Sequence, residues 1–151
     1  MADTIYNRWK YRNVTGTDVV GSADFRMLLL ETTAAGAFDP DLDDVAALLA
    51  VGSGAELTAT NYARQALDGE SAGAGPDDTN DRVNIDFTAE VFALLGVAAG
   101  TDGSVVAAVV YVEGASDAAR FLVSYHDSGF PVVTNGQNLT VDTPNDWMRL
   151  T

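Results

Sequence analysis

His126 is the only histidine in a chain of 151 residues that contains no cysteine. Nucleophilic or acid–base chemistry of the common kinds must therefore run through this one imidazole or through carboxylates. Ser124 and Asp127 stand close by, so the residue types of a Ser-His-Asp arrangement are present. Their spacing argues against one. On an extended strand, neighbouring side chains point to opposite faces, which aims Asp127 away from His126. The expectation is a hydrogen-bonded histidine at the surface or at a strand end.

A single histidine without cysteine also excludes a two-histidine or thiolate zinc site within one chain. Asp39, Asp41 and Asp43 alternate like the opening ligands of a calcium loop. However, Asp44 stands where that loop needs a glycine and Ala50 where it needs a bidentate glutamate. A helix cap explains the same acids, with Asp41 as the N-cap and Asp43 and Asp44 at the positive end of the helix dipole. The segment Asp77-Asp78-Thr79-Asn80-Asp81 reads as a solvated turn closed by its own side chains. The stretch from Gly69 to Gly75 lacks the lysine and helix start of a phosphate loop. With 22 acidic residues in the chain, close carboxylate pairs arise by chance and signal no glycosidase. The expectation is a protein that is not an enzyme, with no catalytic residue, no cofactor and no metal.

Charge narrows the partners. Asp and Glu number 22 against 8 Lys and Arg, a formal net charge of −14, and Lys10 is the sole lysine. Such a surface repels phosphate backbones and anionic lipid, so neither nucleic acid nor membrane is expected as a partner. The acidity fits solubility at high salt, or a GC-rich genome favouring Ala, Asp, Gly and Val codons. The start of the chain lacks the apolar core of a signal peptide. Its longest strongly apolar run, Val105 to Val112, falls far short of the roughly 20 residues of a membrane helix.

The elements that hold these residues are mostly strands. Phe25 to Leu30 is apolar on both faces, as a central buried strand is. Tyr62 to Leu67 reads as a short strand. Arg82 to Phe87 alternates, predicting Val83, Ile85 and Phe87 inward and Arg82, Asn84 and Asp86 outward. Val105 to Val112 reads as a second buried strand, with Phe121 to His126 as its hairpin partner. Gln137 to Asp142 and Trp147 to Leu150 complete the set. Val45, Leu48 and Leu49 predict a short helix ended by Gly52 and Gly54, and Ile5 to Arg12 predicts an amphipathic one. The fold class expected is mainly β: a single domain over 1–151, an antiparallel β-sandwich or small barrel with one or two short helices.

Three stretches, in order, resemble a family of small virion proteins of tailed bacteriophages. The opening Ile5-Tyr6-Asn7-Arg8-Trp9-Lys10-Tyr11 is followed by the strand Phe25 to Thr32. It is similar to the family's asparagine, basic and aromatic opening before a strand of the type "IKVALLT". Asn61 to Leu67, followed by Asp77 to Asp86, resembles a glycine-tyrosine segment and then a "DNTNDRAVFDADD" run. The strands Ala108 to Val112 and Phe121 to Asp127, with a closing hairpin over Val132 to Val141, form the third. The family commonly carries a tryptophan shortly after the second motif, where this chain has Phe92.

The resemblance implies a virion structural protein without catalytic residues. It would be a capsid decoration (cement) protein on the major capsid protein shell, or else a neck- or tail-associated protein. The implied location is the virion, at the capsid surface, after synthesis in the host cytoplasm, and homo-oligomeric assembly is expected. A glycan- or host-surface-binding module is the alternative, for which an exposed Phe130 beside Asp127 would serve. The attachment surface expected is Tyr6, Arg8, Trp9, Lys10, Tyr11 and Arg12, which join aromatic anchors to the densest cations in the chain. The competing expectation is that Tyr6 and Trp9 only pack a helix against the sheet.

Overall fold

A computed structural model describes residues 4–18, 20–33, 39–50, 54–69, 78–79, 83–96, 103–142 and 148–150. Strand β1 (Thr4–Ile5) leads into helix α1 (Asn7–Val14), then β2 (Phe25–Thr33) and α2 (Val45–Ala50). Next come β3 (Gly54–Glu56), β4 (Gln65–Ala66), β5 (Val83–Ile85), β6 (Glu90–Leu95), β7 (Ser104–Val105) and β8 (Ala107–Val112). After a 3-10 turn at Asp117–Ala119 follow β9 (Phe121–His126), β10 (Val132–Val133), β11 (Gln137–Val141) and β12 (Met148–Leu150).

The main sheet is antiparallel in the order β1-β9-β8-β2-β3, with β4 sharing the outer edge of β2 beside β3. Three antiparallel pairs accompany it: β10 with β7, β11 with β6, and β12 with β5. The fold is thus mainly β and sandwich-like. No closed barrel forms among the described residues.

Both faces of the main sheet are buried, as the apolar runs of β2 and β8 require. On one face Phe25, Met27 and Leu29 of β2 and Val110 of β8 pack against Ile85, Phe87, Phe92, Leu95 and Val141 of the second layer. On the other, Leu28, Leu30, Val109, Leu122 and Tyr125 are covered by Val45 and Leu48 of α2. Strand β9 is the hairpin partner of β8. A register shift opposite Val110 and Tyr111 puts Leu122 and Tyr125, three residues apart, both on the helix-covered face, and Val123 on the other.

Several boundaries differ from those expected. The first two residues of the expected N-terminal helix are not helical, because Ile5 pairs with Ser124 at the sheet edge. The helix runs from Asn7 to Val14 and ends where Gly16, at φ 74, adopts the left-handed conformation and donates its N–H to Asn13 O. The cap of α2 is Asp44, not Asp41: its carboxylate accepts the Ala47 N–H at 2.8 Å. Strand β4 keeps only Gln65 and Ala66 of the strand expected from Tyr62 to Leu67. In the alternating segment Ile85 and Phe87 are buried and Asp86 is half-buried. Arg82 and the side chains of Val83 and Asn84 lie outside the described residues, as do Gly52, most of Asp77 to Asp81, and Trp147.

One glycine is needed for space. A Cβ on Gly114, between β8 and the 3-10 turn, would sit 2.2 Å from the carbonyl oxygen of Ala119. Gly114→Ala is expected to destabilise the fold by about 1–3 kcal/mol through forced backbone movement. Urea unfolding at neutral pH measures it, and an unchanged midpoint would refute that reading.

Candidate functional site

Helix α1 is held from both ends. Its first N–H, at Asn7, donates to Pro40 O at 3.0 Å, and the Asn7 amide reaches Asp41 at 2.8 Å. Arg8 pairs with Asp43 at 2.8 Å. Asp41 and Asp43, expected to serve α2, thus lie instead at the positive end of α1, where carboxylates are stabilised. At the far end Arg12 grips Asp18 through two hydrogen bonds and lays its guanidinium 3.9 Å from the centre of the Phe121 ring. Arg8 approaches the same ring at 5.2 Å.

The six residues expected as an attachment surface are therefore divided. Tyr6 and Trp9 are fully buried and cannot be exposed anchors. Trp9 meets Phe25 edge-on at 6.5 Å, and Phe25 meets Phe87 at 5.4 Å, an aromatic line from α1 through the sheet to the second layer. Arg8 and Arg12 are engaged by acids of the same chain. Outward-facing are Lys10, Tyr11 at 70% exposure and, beyond the expected set, Val14 at 87%. With Asn7 these fall at helical spacing on one face.

His126 closes β9 and lies inside, 2% exposed, with Nε2 and Ser124 Oγ 2.8 Å apart. It is a strand-end histidine as expected, but a buried one. Ser124 and His126, two residues apart in the regular part of β9, project to the same face. His126 lines a cavity of about 160 Å³ with Phe130, Val132, Leu139, Thr140 and Asp142. Phe130, expected to be exposed beside Asp127, is half-buried against the core. The acid that lines the cavity with it is Asp142. Among the described residues no group of three or more His, Cys, Asp or Glu is placed to hold a metal ion.

A second polar assembly was not legible in the sequence. Arg64 pairs with Glu56 and Asp117, both at 2.6 Å, and Arg120 pairs with Asp117 at 2.7 Å and Glu113 at 2.6 Å. Arg26 continues the chain to Glu113 at 3.1 Å and Asp24 at 3.2 Å. Arg64 and Arg120 both lie over the Tyr111 ring, at 5.5 and 6.0 Å from its centre. Tyr62 joins by donating to Glu56 at 2.9 Å while accepting the Leu29 N–H at 3.0 Å. Burial, then the Glu56 charge, pushes the Tyr62 phenol up.

The hydrogen bond to Arg64, then that to Arg120, holds Asp117 below its usual value against its burial. Burial of Glu113 acts upward but is outweighed by Arg120, the Gly114 N–H and Arg26, so its carboxyl is also lowered. The sites of Arg8, Arg12, Arg26, Arg64 and Arg120 are thus answered by carboxylates of this chain. No helix among the described residues is long and apolar enough to cross a membrane. No family model, curated protein or solved structure matches the chain.

Proposed function

We propose that this chain is a non-catalytic structural protein of a virus particle, a capsid decoration protein seated on the major capsid protein shell through the outward side of α1. The observation that carries the reading is the division of that helix. Tyr6 and Trp9 rivet it to the sandwich, while Lys10, Tyr11 and Val14 are displayed away from it. A rigid helix presenting an aromatic, an aliphatic and a cation suits docking to another protein. The order of motifs similar to small phage virion proteins supports the same reading. Nucleic acid is not a partner in this proposal, because Arg8, Arg12, Arg26, Arg64 and Arg120 are already paired with carboxylates in a chain of net charge −14.

Quantitative mass spectrometry of gradient-purified particles from a producing culture tests the proposal. Hundreds of copies per particle are expected, a handful would place the protein at the neck or tail, and absence from particles would overturn the reading. The double variant Lys10→Glu, Tyr11→Asp should melt like the parent protein and be depleted from particles. Full occupancy by that variant would remove α1 as the attachment surface.

The cavity beside His126 favours a second reading, a glycan-binding module. Phe130 offers a ring and Asp142 and Thr140 offer hydroxyl partners in a space of about 160 Å³. Saturable binding in a glycan array, abolished by Phe130→Ala with the fold intact, would move the assignment there.

A further inference from the structure

The tripeptide Asn-X-Thr occurs twice in the chain, as Asn13-Val14-Thr15 and Asn138-Leu139-Thr140. With any residue but proline in the middle, it is the acceptor pattern of asparagine-linked glycosylation. The two copies differ in what the fold leaves available. At the end of α1 both polar groups are engaged. The half-buried Asn13 donates from Nδ2 to Asp18 O at 3.2 Å, and the Thr15 hydroxyl lies 3.0 Å from Tyr11 O and 3.1 Å from Arg12 O.

In β11 both are open. Asn138 and Thr140 stand two residues apart on the strand, so they project to one face, and both are exposed. Leu139 between them turns inward opposite Phe92 and packs against the core, which settles which face is outward. The Asn138 side chain also has a defined orientation. Its Oδ1 accepts, at 3.0 Å, the N–H of Leu94, which is held at φ 49 where β6 bulges. A backbone N–H can meet only the oxygen of a carboxamide, so Nδ2 points the other way, and it makes no hydrogen bond among the described residues. Among the described residues β11 pairs with β6 alone, so its far edge is left for an enzyme to grip by strand addition.

We propose that Asn138 of the folded chain is a site of N-linked glycosylation and that Asn13 is left bare. The co-reactant is a sugar activated as a glycosyl diphosphate ester. Asn138 Nδ2 attacks the anomeric carbon, forming a C–N bond as the C–O bond to the diphosphate breaks. The electron pair of that bond leaves with the diphosphate, and the amide gives up one of its two protons. Oδ1 takes no part, so the product keeps its hydrogen bond to Leu94 N–H. A nucleoside diphosphate or a lipid diphosphate could carry the sugar. The proposal uses neither Lys10 nor Tyr11, on which capsid attachment rests, so either reading can fail alone.

Intact-mass and peptide mass spectrometry of the full chain purified from its producing cells tests it. The expected result is a species heavier than the polypeptide by whole sugar residues, with the added mass on the Asn138 peptide and none on the Asn13 peptide. Asn138→Gln and Thr140→Val should each abolish the added mass, whereas Thr140→Ser should retain it. Thr140→Val keeps a β-branched side chain in the strand, so its loss of sugar would not be a loss of fold. A wholly unmodified chain, sugar on Asn13, or added mass that survives Thr140→Val would overturn the proposal. Folded chain made in cells that lack N-linked glycosylation then distinguishes the carriers. One arm supplies uridine diphosphate hexoses with the soluble fraction of the producing cells, the other their membranes alone. Transfer to Asn138 in either arm supports the proposal and identifies the carrier, and transfer in neither would overturn acceptance by the folded chain.

Discussion

Trp9→Ala is expected to lower the unfolding free energy by about 3–5 kcal/mol, as deletion of a fully buried large aromatic does. Trp9 has no exposed surface and contacts Phe25 edge-on at 6.5 Å, so its loss opens a cavity between α1 and the sheet. The indole Nε1 is buried without a hydrogen-bond partner among the described residues. Trp9→Phe, which removes that unanswered N–H and keeps most of the ring, should therefore cost well under half as much. Urea denaturation of the isolated protein, followed by far-ultraviolet circular dichroism, measures both. A Trp9→Ala protein as stable as the parent would mean that the indole is not core, and would return it to the set of attachment residues.

Arg64→Ala is expected to cost about 2–4 kcal/mol, somewhat below the loss on breaking a fully buried pair because the side chain keeps partial contact with water. The variant leaves Glu56 without its closest cation and Asp117 with Arg120 alone, and uncovers one side of Tyr111. Adding Glu56→Gln to Arg64→Ala should restore part of the loss, and a double-mutant cycle reads the coupling. Additive effects would show that the pair contributes nothing beyond its separate members.

The same assembly sets an acid limit. Asp117 and Glu113 are held below their ordinary values of 3.8 and 4.5, so the folded protein binds fewer protons there than the unfolded chain does. Their contribution is present in full above those values and is lost as pH falls through the lower folded ones. Glu90 acts oppositely: burial, then Asp68, raises its carboxyl, so its protonation favours the folded state. Among the described residues two lowered carboxyl groups stand against one raised, so the expected net result is a falling melting temperature below about pH 4.5. Arg64→Ala should flatten that dependence, and an equally steep one in the variant would place the acid sensitivity elsewhere.

Much of the scaffold was legible from residue order because local patterns dictated it. The doubly apolar runs at Phe25 and Ala107 allow little except strands buried on both faces, and β2, β8 and β9 pair as that implies. Strand β6 escaped notice for a physical reason. Its bulge puts Leu94 out of phase, so Glu90 to Leu95 reads as an apolar cluster without the period of two. Asp41 and Asp44 are equally good caps by type. Only the bridge between Asp44 and Phe121 decides where α2 begins.

By itself the sequence determined the fold class, the acidic surface and the poverty of residue types for metal or thiol chemistry, since composition and short-range period are properties of the chain alone. Tertiary structure decided which aromatics of α1 are displayed and which are core, that His126 is buried, and that Leu94 is pushed outward. It also assembled Asp24, Arg26, Glu56, Arg64, Glu113, Asp117 and Arg120 into one ionic chain over Tyr111. Those residues come from four separate segments, brought together by strand register and loop closure. Register and closure depend on contacts between distant segments, and no local pattern encodes them.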